Sequence, residues 1–92
     1  MESIGRTVIN INKKASSEQK ARINTIFNEV YNNSSFIKHI DNDNYQGDMG
    51  CLCVLGTRVV RHLMKDNLLP LITSYDVINI NTKERESLLE DG

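Results

Sequence analysis

The thiol and imidazole side chains able to ligate a metal or take part in nucleophilic chemistry are Cys51 and Cys53, one residue apart, with His39 and His62. Structural zinc takes four ligands in recognisable paired spacings, and the sequence offers no second cysteine pair. A cysteine nucleophile needs a base within hydrogen-bond reach and a third group to orient it, which no spacing here enforces. The two thiols read instead as reduced, small apolar residues of a core strand, where alternate side chains point the same way and are poorly placed for a bridge. In the acidic segment Asp41, Asp43, Asp48, the first two match the first and third positions of a calcium loop, but Tyr45, Gln46 and Leu52 occupy positions that such a loop gives to a ligand, a glycine and a glutamate. The acids therefore read as a surface turn. No catalytic group, metal set or cofactor motif is expected.

A different chemistry is offered by Gly56, Thr57 and Arg58, followed by Arg61 and Lys65. With Cys51 to Leu55 as a strand and a helix beginning after Gly56, free backbone N–H groups, the Thr57 hydroxyl and the Arg58 guanidinium would meet at the sheet end as an anion site. A glycine series and a lysine–serine or lysine–threonine pair are both missing, so this is not a phosphate-binding P-loop. Arg58, Arg61 and Lys65, spaced i, i+3, i+7, form a cationic stripe opposite Val59, Val60, Leu63 and Met64. Leu68-Leu69-Pro70 should end this helix, since proline cannot continue it.

Other elements must position that stretch. Thr7 to Asn12 is β-branched and alternates apolar and polar from Ile9 onward, predicting a strand with Ile9 and Ile11 inward. Ser16 and Gln19 fit a capping box, and Ile23, Ile26, Phe27, Val30 and Tyr31 recur at helical spacing. Asn32 to Ser35 should end that helix, Phe36, Ile37 and Ile40 suggest a second helical piece, and residues 41–50 read as a loop. Tyr75 to Asn81 is a further strand, and its Val77-Ile78-Asn79-Ile80-Asn81 repeats Val8-Ile9-Asn10-Ile11-Asn12 letter for letter. A polar helix should follow from Thr82, held only by Leu88 and Leu89, so that residues 82–92 form a loosely held tail.

The run LGTRVVRHLMKDNLLPLI, with the following DVININ and TKERESLL, resembles the second half of an excisionase-type or MerR-type winged helix-turn-helix. That resemblance implies duplex DNA as partner, with Arg58, Arg61 and Lys65 facing it. Upstream, MGCLCV departs from the pattern, being β-prone where a polar-faced first helix is required.

These segments predict an α+β fold, a single sheet covered by helices on one side, in the order β-α-β-α-β-α within one domain of residues 1–92. A chain of 92 residues supports one modest core. Its net charge of -1 argues against an extended nucleic-acid-coating surface and leaves room for a local basic patch. Apolar runs fall short of a membrane span, and the N-terminus lacks a basic leader ahead of a hydrophobic stretch, so a cytoplasmic protein without membrane contact is expected. The functional expectation is a non-enzymatic binding protein that sequesters an anionic small molecule, phosphate-bearing or nucleotide, or occupies and inhibits a host defence protein. Brevity and an Asn-, Ile- and Lys-rich composition fit an accessory protein of a phage or mobile element. An unpaired strand edge would favour a homo-oligomer.

Overall fold

The computed structural model describes residues 3–41 and 44–89. Its elements are β1 (Ile4–Ile11), α1 (Ser17–Tyr31), β2 (Ile37–Asp41), β3 (Asn44–Asp48), α2 (Met49–Lys65), a 3-10 turn (Leu69–Leu71), β4 (Ile72–Asn79) and β5 (Arg85–Ser87). The strands form one five-stranded sheet in the order β2-β3-β1-β4-β5, with every neighbouring pair antiparallel. Both helices lie on one face, giving the α+β, one-sided arrangement the sequence predicts. The order β1-α1-β2-β3-α2-β4 with this strand order is the split βαβ, or ferredoxin-like, topology, which by itself carries no function.

Helix α1 forms as its sequence dictates. The Ser16 hydroxyl accepts from the Gln19 N–H at 3.1 Å, and the Gln19 side chain accepts from the Ser16 N–H at 2.8 Å. Ile23, Ile26, Phe27, Val30 and Tyr31 are all buried on one stripe. They meet Tyr45 of β3 and Tyr75 of β4, so that all three tyrosines and Phe27 form the aromatic centre of the core. Strands β1 and β4 are neighbours, with Thr7 opposite Val77 and Ile9 opposite Tyr75 on the helix side. The repeated pentapeptide therefore does not repeat its environment. Val77 faces the core, whereas Val8 lies on the open face opposite Asp76.

Four segments differ from the sequence expectation. Residues 51–55 are not a strand but the first turns of α2, one helix in which Leu52, Gly56, Val59 and Leu63 are buried at helical spacing. Met64 is 58% exposed, so the buried stripe is rotated away from it. The second helical piece predicted around Phe36 to Ile40 is strand β2. Its apolar residues do not share a buried face, since Ile37 is buried while Phe36 and Ile40 are exposed. The predicted loop 41–50 contains β3, a poor strand former by composition that is held by β1 on one side and β2 on the other. Residues 85–87, expected in a helix, pair with β4, and Asn79 Oδ1 accepts from the N–H groups of Asn81 and Thr82 to shape the intervening turn.

Helix α2 also ends earlier than the proline would require. Asn67 adopts φ 58°, the Leu68 N–H donates to the Leu63 carbonyl at 2.8 Å, and the Asn67 N–H donates to the Met64 carbonyl at 3.1 Å. This is a Schellman closure, for which asparagine tolerates the left-handed conformation. Among the described residues no helix-turn-helix is formed: β2 and β3 separate α1 from α2, and the segment after β4 is a turn and a strand.

Candidate functional site

Helix α2 begins at Met49, two turns before the start at Thr57 that the anion site requires. Asp48 caps it, its Oδ2 accepting from the Cys51 N–H at 3.0 Å. A carboxylate at this position satisfies a free donor and complements the positive end of the helix dipole. The strand–glycine–helix anion site is therefore not built. Gly56 is buried in the helix interior, with its N–H in the helical ladder, where a Cβ would run into Leu88 Cδ1 and lie 3.1 Å from the Tyr75 hydroxyl and 3.2 Å from that of Tyr31. Thr57 caps nothing, its hydroxyl donating to the Cys53 carbonyl one turn back at 3.0 Å. Glycine is used here for close approach of the helix to the tyrosines, not for a turn.

Arg58, Arg61 and Lys65 are exposed on the outer side of α2, as their spacing predicts. They do not share one surface feature. Arg58 opens into a groove of about 790 Å³ between the C-terminal part of α1 and α2, lined also by Glu29, Phe36, Cys51, Val54 and His62. Arg61 and Lys65 lie outside its lining. Phe36 is 71% exposed and Val54 62%, so the walls of the groove present large apolar side chains to solvent beside a guanidinium, an imidazole and two carboxylates, Glu29 and the helix-capping Asp48. A mostly apolar concavity with a few convergent polar groups is the usual form of a small-molecule site.

At the end of the sheet where β1 and β2 begin and β3 and β4 finish lies a second concavity of about 600 Å³, lined by Ile4, Lys38, Gln46 and Ile80. Ser35, Phe36, Asp48 and Cys51 line both, so the two meet at the Phe36 ring. Phe36, His62 and Glu29 join the groove without any anion-site signal in the sequence. An aromatic between two polar serines and a strand carries no periodic signal, and by spacing alone His62 pairs with the thiols as a metal ligand and not with Arg58.

The thiols sit on α2, with Cys51 in both grooves and Cys53 packed partly against the core. Desolvation, followed by hydrogen bonding to Asp48 and its charge, pushes the Cys51 thiol up from its ordinary value. Desolvation and the nearby Glu86 do the same for Cys53. Both shifts disfavour a thiolate. Among the described residues no three His, Cys, Asp or Glu side chains cluster as metal ligands would. His39 stacks on Tyr45 with ring centroids 4.5 Å apart, on a different element from His62 and the thiols. Asp41 accepts from the Asn44 side chain at 2.7 Å, and Asp43 lies outside the described residues.

Buried beneath Gly56, Tyr31 and Tyr75 are hydrogen-bonded through their hydroxyls, and Tyr31 also donates to the Leu52 carbonyl at 3.3 Å. Burial pushes both phenols well above their ordinary value. They are fixed, neutral and covered by α2, which suits a structural role. No helix among the described residues is long and apolar enough to cross a membrane. No family model, curated protein or solved structure matches the chain.

Proposed function

We propose that the protein is a non-enzymatic binding module that takes a phosphate-bearing ligand of nucleotide class in the groove between α1 and α2. The supporting observation is the juxtaposition of Arg58 and His62 with the exposed Phe36 ring in one groove of about 790 Å³. A guanidinium presents paired N–H donors to a phosphate, and an exposed aromatic ring offers a face for a base. Glu29, the groove's acid on α1, can accept from an exocyclic amine or a sugar hydroxyl. Arg58 replaces the helix N-terminus as the source of anion affinity, because Asp48 already occupies that terminus.

Sequestration without turnover is the corresponding activity, and it is the role that a short accessory protein of a phage or mobile element would perform by withholding a nucleotide from a host defence protein. Strands β2 and β5 are the edges of the sheet, and self-association along either is the route to a homo-oligomer.

Isothermal titration with inorganic phosphate, nucleoside monophosphates and nucleoside triphosphates tests the reading. Nucleotides should bind more tightly than phosphate and be recovered unchanged. Arg58→Glu should weaken binding at least tenfold, and Arg61→Glu and Lys65→Glu, whose side chains lie outside the groove lining, should weaken it far less. No nucleotide binding by the wild type at millimolar concentration, or equal losses across the three variants, would remove the basis for placing the site here.

A further inference from the structure

The antiparallel registers place Lys38 opposite Gln46, Gln46 opposite Arg6, Arg6 opposite Ile78, and Ile78 opposite Arg85. Directly opposed residues share a sheet face. Thr7, next to Arg6, is fully buried on the helix side, so this row lies on the open side. Three cations from distant parts of the chain thus stand in one line, on β2, β1 and β5. With strands about 4.8 Å apart, the line runs about 19 Å from Lys38 to Arg85. Among the described residues Arg6 and Lys38 make no ion pair, and Arg85 pairs with Asp76 at 3.2 Å while its side chain stays 60% exposed. Half-buried Ile4, Val8 and Ile78 floor the face between the charges.

This row begins where the candidate site ends. Lys38 and Gln46 line the second groove, which meets the first at Phe36. A track therefore runs from Arg58 and His62, over the Phe36 ring, to Lys38 and then across the open face through Arg6 to Arg85. We infer that this track takes a single strand of nucleic acid, with the α1–α2 groove holding one nucleotide and the sheet face carrying the phosphates that follow. The inference rests on the nucleotide reading of the groove and extends it. Cations recurring along a path over an apolar floor suit a flexible chain of phosphates with intervening bases, and Phe36 supplies the stacking contact. A stiff duplex cannot follow the track from the helix side past the sheet end at Phe36 and Asp48 to the opposite face of the sheet. The net charge of -1 is compatible with this, because the cations are concentrated in one line.

Fluorescence anisotropy tests it with labelled mononucleotide, oligothymidylate and oligouridylate of two, four and about eight nucleotides, and a duplex, since single-strand sites commonly span about 4–16 nucleotides. Affinity should rise with length and fall with salt, and loss of one phosphate-contacting cation should reduce the slope of log affinity against log salt by about 0.7. Arg6→Glu and Lys38→Glu should each weaken the longest oligomer at least tenfold while leaving mononucleotide affinity unchanged, with Arg6→Gln and Lys38→Gln giving smaller losses in the same order. Circular dichroism verifies each fold, and the Gln variants decide the matter if a Glu variant does not fold. Mononucleotide binding without any gain from length, or a duplex bound as tightly as the single strand, would overturn the inference and leave the groove reading standing. Absence of both mononucleotide and oligomer binding would overturn both.

Discussion

Gly56→Ala distinguishes a glycine that makes a turn from one that permits close packing. In an exposed helix interior the substitution stabilises by about 0.8–1 kcal/mol, because alanine loses less backbone entropy on folding. Here the new methyl meets Leu88 Cδ1 head-on and lies 3.1 Å and 3.2 Å from two tyrosine hydroxyls. Leu88 is the end of a flexible side chain, but the hydroxyls are bonded to each other and cannot both withdraw. Overpacking of this kind costs about 1–3 kcal/mol, so the two effects leave a net destabilisation of about 1 kcal/mol. For a domain of this size that corresponds to a fall in Tm of about 4–8 °C. Removing the closest obstacle should change the outcome. In a Leu88→Ala background the same substitution loses its worst contact, and the helix gain should leave it near neutral or slightly stabilising. Thermal and urea melts of the four proteins give the cycle. A rise in Tm for Gly56→Ala in the otherwise unaltered protein, with no coupling to Leu88, would refute the packing of α2 against Tyr31, Tyr75 and the segment after β5.

Asp48→Ala should destabilise by about 1 kcal/mol, read from urea melts, through loss of the cap on α2; no change would place the helix start elsewhere. Tyr31 and Tyr75 remain protonated in the fold above the ordinary phenol value, so their contribution is complete below about pH 10 and declines above it as the unfolded chain ionises. Urea melts between pH 8 and 11 should therefore show stability falling at up to about 1.4 kcal/mol per pH unit for each tyrosine, and the Tyr31→Phe/Tyr75→Phe variant should show a shallower decline. Cys51 and Cys53 should alkylate with iodoacetamide more slowly than a free thiol at pH 8, because their thiolates are disfavoured; reaction at or above the free-thiol rate would contradict the environments described for them.

Helix α1 and its buried stripe follow from local information. A capping box marks its start, and five apolar residues at helical spacing leave one face able to bury, whatever the remainder of the chain does. The outward placement of Arg58, Arg61 and Lys65 is equally local, since the helix period alone assigns that face, whereas the identical pentapeptides that begin at Val8 and Val77 face opposite ways, a choice made only by their pairing. Residues 51–55 are different. Five apolar residues satisfy a buried strand and a buried helical turn alike, and the choice was made by Asp48, which β3 carries to the sheet end and which caps the chain there. Gly56 then became a helix residue, its intrinsic cost set against contact with Tyr31, Tyr75 and Leu88, side chains 19 to 32 positions away. Strand β3 and strand β5, poor in strand-forming residues, exist because neighbouring strands satisfy their backbones. The line from Lys38 through Arg6 to Arg85 has no trace in the order of the residues. It arises from register, a long-range alignment of four strand pairs, and cross-strand neighbours have no fixed separation along the chain by which spacing alone could reveal them.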